Sequence, residues 1–144
     1  SQTNGAIGYV ELAYALQNKF TYASVKNKDG SYVAPSLDST SKAGENIPNL
    51  PDDLRFNSIN SPAKGAYPIA SPTFIVVYED ACKAGGVKTA AEASALQGWL
   101  NYLLGKGQDS MKKLEYAPLA SSLLTKAKAK VSGMTCNDAA ITAR

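Results

Sequence analysis

The sequence predicts an α/β fold, with strands and loops in its first half and helices in its second. Three observations carry this. Thr73-Phe-Ile-Val-Val-Tyr78 is a run of β-branched and aromatic side chains, too short for a buried helix and bounded by turn residues. Such a run reads as a strand buried on both faces. Leu96, Trp99, Leu100, Leu103 and Leu104 recur at helical spacing and form the strongest amphipathic stripe in the chain. Between Ser36 and Lys64 the sequence is instead polar, irregular and punctuated by Pro48, Pro51 and Pro62. With 144 residues the chain is about one domain long, enough for a real core.

Taken in order, Gly5-Ala-Ile-Gly-Tyr-Val10 is an apolar stretch in which Gly5 and Gly8 permit close approach of a neighbouring backbone, so a brief buried strand is expected. Glu11–Asn18 reads as a two-turn helix, with Leu12 and Leu16 on one face and Asn18 as its stop. Phe20–Val25 is expected to be a second strand. The Lys26-Asn-Lys-Asp-Gly30 turn would then return the chain as a hairpin arm at Tyr32-Val33. Ser36 caps a short helix that Gly44 ends. Leu50, Leu54, Phe56 and Ile59 should pin the long loop that follows, with short helical turns inside it.

Pro68 and Pro72 cannot donate to a ladder and mark the entry to the Thr73–Tyr78 strand. Beyond Gly85-Gly86, Thr89 and Glu92 have capping-box spacing at the start of the main helix, which Gly105 and Gly107 end. Gln108–Leu114 is a further short helix. Pro118 fits the first turn of a last one, lined by Leu119, Leu123, Ala127 and Val131 and stopped by Gly133. Lys126, Lys128 and Lys130 lie towards its C-terminal end, where the dipole favours cations.

Composition removes several functional classes. The net charge is +3 and the lysines lie singly or in pairs, with no basic stripe for nucleic acid. The absence of histidine excludes Ser-His-Asp and Cys-His nucleophilic systems and every histidine-based metal site. Asp52-Asp53 and Glu79-Asp80 are adjacent carboxylates that do not face a common substrate, and are read as solvated turn charges. Gly5-Ala-Ile-Gly8 lacks the pattern of a phosphate loop, and Trp99 is assigned to the core. Eight tyrosines against three phenylalanines point to half-buried surfaces or interfaces.

No run approaches the roughly 20 apolar residues of a spanning helix, and Ser1–Gly5 has no signal-peptide character. Either the chain stays where it is made or a targeting segment belongs ahead of it. Cys82 and Cys136 are too far apart for a CxxC redox pair or a zinc knuckle; they are either a disulfide or two buried thiols. The residues alone thus describe an α/β module with no cofactor, no metal site and no catalytic residues.

Gly5-Ala-Ile-Gly-Tyr-Val-Glu-Leu-Ala-Tyr-Ala15 closely resembles a signature of the phosphate-binding proteins of ABC-type phosphate importers. The similarity continues in register through Tyr67-Pro-Ile-Ala-Ser-Pro-Thr-Phe-Ile-Val-Val-Tyr78, the Leu96–Leu104 helix, the Gly105-Lys-Gly-Gln108 turn and Tyr116-Ala-Pro-Leu119. The resemblance implies a two-lobed, periplasmic-binding-protein-like (type II) fold with a mixed sheet and flanking helices. Family members are considerably longer, and this chain resembles their C-terminal portion. Residues 1–70 would belong to the second lobe, as a strand, helix, hairpin and long loop. Residues 71–144 would carry the hinge-crossing strand and the C-terminal helices that complete the first lobe.

The implied function is that of the substrate-binding component of an inorganic phosphate importer, a non-enzyme that serves a membrane permease. The implied setting is extracytoplasmic, in the periplasm or at the cell surface, with a lipid anchor on the N-terminal part, and the resemblance favours a Cys82–Cys136 disulfide. The family's phosphate ligands are small hydroxyl residues, a helix N-terminal amide, an Asp and an Arg. They lie upstream of the Gly-Ala-Ile-Gly signature, so no phosphate-binding residue falls in this chain, and Arg55 and Arg144 do not match the family's arginine context. Two rivals are a stand-alone scaffold or interaction module that binds no phosphate, and a phosphoester hydrolase.

Overall fold

The computed structural model describes residues 3–83 and 86–141. Along them lie α1 (Leu12–Gln17), β1 (Val25–Lys26), β2 (Tyr32–Val33), α2 (Leu37–Lys42), α3 (Ala90–Leu103), α4 (Gly107–Lys113), α5 (Ser121–Ser132), β3 (Thr135–Cys136) and β4 (Ala139–Ala140). The strands form two antiparallel pairs, with Val25 opposite Val33 and Cys136 opposite Ala139. Arg144 lies outside the described residues, as does Gly85 of the expected glycine pair.

Side-chain hydrogen bonds to backbone organise the first half. Buried Asn27 accepts from the N–H groups of Asp29 and Ser31, which closes the hairpin turn, and its amide reaches the Ala66 carbonyl at 3.4 Å. Gly30 takes the positive φ that this turn requires. Ser36 caps α2 through a reciprocal pair with Ser39, as its sequence position predicts. The N–H of Tyr67 donates to the Ser39 carbonyl, so the long loop returns onto α2 over the small cluster Ala43, Ala66 and Ala70. That loop contains turns but no helix beyond α2, and of its expected anchors Ile59 is exposed while Leu50, Leu54 and Phe56 are half-buried.

The second half carries the larger core: Ala81, Ala93, Leu100, Val131, Met134 and Cys136, with Leu96 and Leu104 against it. The Thr89–Glu92 capping box starts α3 as predicted. Gln97 is buried beside Leu100 and donates to the Val131 carbonyl at 2.9 Å, tying α3 to the last turn of α5. Trp99 is not core: it lies on the outward side of α3 and is 51% exposed. The buried face instead runs through Ala93, Gln97 and Leu100, an offset that a leucine count does not reveal. A Cβ at Gly107 would lie 2.9 Å from the Tyr102 carbonyl oxygen, so only glycine allows this tight entry into α4. Pro118 sits ahead of α5 and not in its first turn, because the helix begins at Ser121. The segment that holds it is fastened by Gln108, which accepts from the Leu119 N–H and donates to the Leu103 carbonyl.

Three expected strands are corrected. Gly5–Val10 and Thr73–Tyr78 have no strand assignment, and of Phe20–Val25 only Val25 enters a ladder. Among the described residues the pairing is therefore two antiparallel pairs and one parallel bridge, Asp80 to Thr135, in place of the mixed sheet expected. The physical reason is partnership. A strand exists by virtue of its neighbour, and among the described residues nothing hydrogen-bonds the backbone of Thr73–Tyr78 or of Ile7–Val10.

Asp80 also departs from expectation. It is not a solvated turn charge; its side chain is only 15% exposed. Its Oδ1 accepts from the N–H groups of Cys82, Lys83 and Asn137, and its Oδ2 from the Asp138 N–H and the Thr135 hydroxyl. Lys83 pairs with Asp138 beside it. The Asp138 N–H foremost, then those of Asn137 and Lys83, hold the Asp80 pKa down at about 2 from the ordinary 3.8. The neighbouring Cys82 and Cys136 are joined in a disulfide, with Cα atoms 4.8 Å apart.

Two outcomes follow from this corner. Because the folded-state pKa of Asp80 is depressed, its stabilisation is present above the unfolded value and is lost as pH falls from about 4 to about 2. Asp80→Asn replaces one acceptor oxygen with a donor, so its melting temperature should fall at neutral pH. The gap to the parent protein should then narrow through that acid window; a gap unchanged down to pH 2 would remove Asp80 from this role. The disulfide closes a loop with a sequence separation of 54. Replacing both cysteines by serine should cost roughly 4 kcal/mol in urea unfolding, by loop entropy.

Candidate functional site

A large, open and mainly apolar cleft of about 2360 Å³ is walled on one side by Ile7–Val10 and on another by Thr73–Tyr78. Leu103, Met111, Leu119 and Leu123 contribute from the helical half. The cleft is lined by the very segments that the sequence marks as buried strands. Val76 is 93% exposed, Ile7 99% and Tyr9 100%, whereas the buried apolar residues are mostly alanines. Phe74 meets Phe56 edge-on, with ring centroids 5.6 Å apart, and Tyr14 meets Phe20 in the same way. Across the cleft the Tyr116 hydroxyl donates to the Glu11 carboxylate at 3.3 Å, which links α1 to the stretch before α5.

A second, smaller cleft of about 400 Å³ lies between the long loop and α5. It brings Lys126 and Lys130 together with Asp52 and Glu79, and Lys130 pairs with Asp52 at 3.7 Å. The two ammonium groups are matched by two carboxylates. An anion at Lys130 would have to displace Asp52 and would meet the two carboxylates that line the same space.

Neither Arg55 nor Asp53 is poised for a ligand. Arg55 Nε donates to Asp53 Oδ2 at 2.6 Å on the surface, and this guanidinium together with the Arg55 N–H lowers the Asp53 pKa. Asp29 is held down in the same manner by Ser31, and Glu92 by the N–H groups of Lys88 and Thr89. Each of these shifts has a turn or a helix cap as its cause. Among the described residues no group of three or more Cys, Asp and Glu side chains could hold a metal ion, and no helix is long and apolar enough to cross a membrane.

Of the residues singled out from sequence, the structure brings together Cys82 and Cys136, as the resemblance favours. Asp80 is the group that sequence reasoning missed. Its signal was available in part: an Asp placed two residues before a half-cystine, opposite a Thr-Cys-Asn-Asp turn. What the local pattern lacks is the 55-residue separation that brings the turn's donors to it.

A model of the PBP superfamily domain matches residues 1–106. A phosphate-binding protein PstS of Xylella fastidiosa is 34% identical over 129 residues, which covers 89% of this chain but 34% of that protein. Proteins of the same name from Methanocaldococcus jannaschii and Pasteurella multocida are 33% and 28% identical, over 71% and 90% of this chain and 28% and 36% of their own lengths. The chain thus spans about a third of the length of the curated relatives it matches. The match over residues 1–106 shows that this chain belongs to the PBP superfamily, with a periplasmic-binding-protein-like fold.

Proposed function

We propose that this chain is the C-terminal portion of the substrate-binding component of an ABC-type inorganic phosphate importer. The observation that carries this reading is the run of similarity to proteins named for phosphate binding, which extends over nine-tenths of the chain. Residues 1–70 belong on this reading to the second lobe and residues 71–144 to the first. The Tyr116–Glu11 hydrogen bond then spans the two. Closure of two lobes about a hinge converts hydrogen bonds to an oxyanion into a conformational signal for a permease. The protein's role is binding, not turnover.

In this reading the phosphate ligands lie outside the chain. The Lys126, Lys130, Asp52 and Glu79 cleft supports that assignment, since Lys130 is already paired with Asp52 and two carboxylates line the same space as the two lysines. The disulfide supports an extracytoplasmic setting, because such bonds persist in oxidising compartments. A lipid anchor, where one exists, belongs on the part of the protein ahead of this chain.

Titration calorimetry with inorganic phosphate tests the reading. The 144-residue chain alone should give no binding heat. Joined to the remaining two thirds of the Xylella fastidiosa relative, it should bind with a Kd of about 1 μM or tighter, equivalent to about −8 kcal/mol. Phosphate binding by the isolated chain would relocate the ligands into it. A folded but phosphate-blind joined protein would overturn the importer reading.

A further inference from the structure

We propose that Asp80 is a positioning residue for disulfide formation. Its carboxylate holds Cys82 and Cys136 side by side while both are still thiols, so the disulfide closes over a corner that is already assembled. The bond is then a second lock on the Thr135–Ala140 hairpin, which stays docked when the cysteines are reduced. Neither statement depends on whether the protein binds phosphate.

One oxygen supplies the first argument. Asp80 Oδ1 accepts from the Cys82 N–H at 3.1 Å and from the Asn137 N–H at 3.0 Å. The second of these groups belongs to the peptide bond that Cys136 shares with Asn137, so a single atom grips the backbone at both cysteines. Oδ2 accepts from the Asp138 N–H at 2.8 Å and the Thr135 hydroxyl at 3.1 Å, which holds the chain on either side of Cys136. Hydrogen bonds to an ionised acceptor are roughly twice as strong as neutral ones. None of these bonds involves sulfur.

Backbone pairing supplies the second. Thr135 N–H donates to the Glu79 carbonyl and Ala81 N–H to the Thr135 carbonyl, both at 2.9 Å, which lays the two segments side by side immediately before the cysteines. Paired strands run about 4.8 Å apart. The cysteine Cα atoms are 4.8 Å apart, within the span a disulfide bridges. Asn137 and Asp138 turn the chain with φ of 53° and 65°, a region that these two residue types tolerate, and two successive N–H groups thereby reach Asp80. On the helical side Cys136 packs with Ala81, Val131 and Met134, and Gln97 of α3 holds the Val131 carbonyl.

Oxidation by glutathione disulfide runs in two exchanges. One cysteine thiolate attacks a glutathione sulfur, forms a mixed disulfide and expels a glutathione thiolate. The other cysteine thiolate then attacks the protein sulfur of that mixed disulfide and expels the second glutathione. Two protons pass from the cysteines to the two glutathiones, and the cysteine sulfurs give up the two electrons that glutathione disulfide gains. The second exchange is intramolecular, so it is favoured by the fraction of time the two sulfurs spend within reach. The carboxylate sets that fraction. Without it, a sequence separation of 54 leaves much of the encounter to loop closure.

The test is a redox titration of the 144-residue chain in mixtures of reduced and oxidised glutathione, with free thiols trapped by iodoacetamide and counted by mass. Asp80→Asn should lower the effective concentration of the two thiols for each other by about tenfold or more. Thr135→Val removes one donor and leaves the carboxylate, and should lower it by about fivefold. Asn27→Ala opens the hairpin turn in the other half of the chain and should leave it unchanged, which separates positioning from loss of stability. A second measurement takes sulfur away. In the chain carrying Cys82→Ser and Cys136→Ser, the Asn137 and Asp138 amides should exchange with deuterium about tenfold more slowly than when Asp80→Asn is added. Equal effective concentrations in the parent, Asp80→Asn and Thr135→Val chains would overturn the proposal. So would equally fast exchange at Asn137 and Asp138 with and without the carboxylate, since the disulfide alone would then hold the hairpin. If Asp80→Asn does not fold, the comparison of the parent chain with Thr135→Val decides.

Discussion

The Asp80 carboxylate is the interaction on which the ordered half of this protein depends. Its two oxygens collect four backbone N–H groups and a hydroxyl, and in doing so they fold the Thr135–Ala140 hairpin back onto the start of the helical region. The disulfide a few residues away holds the same two segments covalently. Between them these links complete the floor on which α3 and α5 pack, since Ala81, Met134 and Cys136 are core residues supplied by the tied segments themselves. Replacing one carboxylate oxygen by an amide N–H leaves some of the turn donors facing a donor in place of an acceptor. That is costlier than losing a surface ion pair such as Lys42–Asp38, where water takes either partner's place.

Local chemistry was legible in the sequence wherever an interaction spans a few residues. The Ser36 cap, the Thr89 capping box, the Asn27–Gly30 turn, the stop at Asn18 and the end of α5 at Gly133 all stand where the sequence puts them. Each depends on residues three to five apart, so pattern and structure are nearly the same statement. Asp80 was not legible, because its donors arrive from the far end of the chain. Trp99 was misplaced for a different reason. Its position on a leucine stripe is real, but the packed face of α3 is centred on Ala93, Gln97 and Leu100, and the small residues that define it carry little weight in a hydrophobic pattern.

Thr73–Tyr78 is an instructive mismatch. Its composition is that of a buried strand, yet among the described residues no backbone pairs with it. A helix satisfies its own backbone and therefore appears in α1 to α5 with modest help from tertiary packing, whereas a strand borrows its order from a neighbour. The same asymmetry explains why the helical half of the chain is well packed while the Gly5–Val10 and Thr73–Tyr78 segments are bare.

This asymmetry also bears on phosphate. In a two-lobed binding protein the ligand sits where the lobes face each other, and the strands that cross between lobes set the hinge. Thr73–Tyr78, the crossing segment on the proposed reading, follows Pro68 and Pro72, which fix backbone angles just ahead of it, and it leads directly into the Asp80 anchor. A crossing strand anchored at its C-terminal end but unpaired along its length cannot transmit a fixed geometry between lobes, because each unpaired residue keeps its torsional freedom. On the proposed reading, completion of the sheet and definition of the hinge are one event, and the pairing of Thr73–Tyr78 couples assembly to binding through backbone hydrogen bonds without any residue of the run touching the ion.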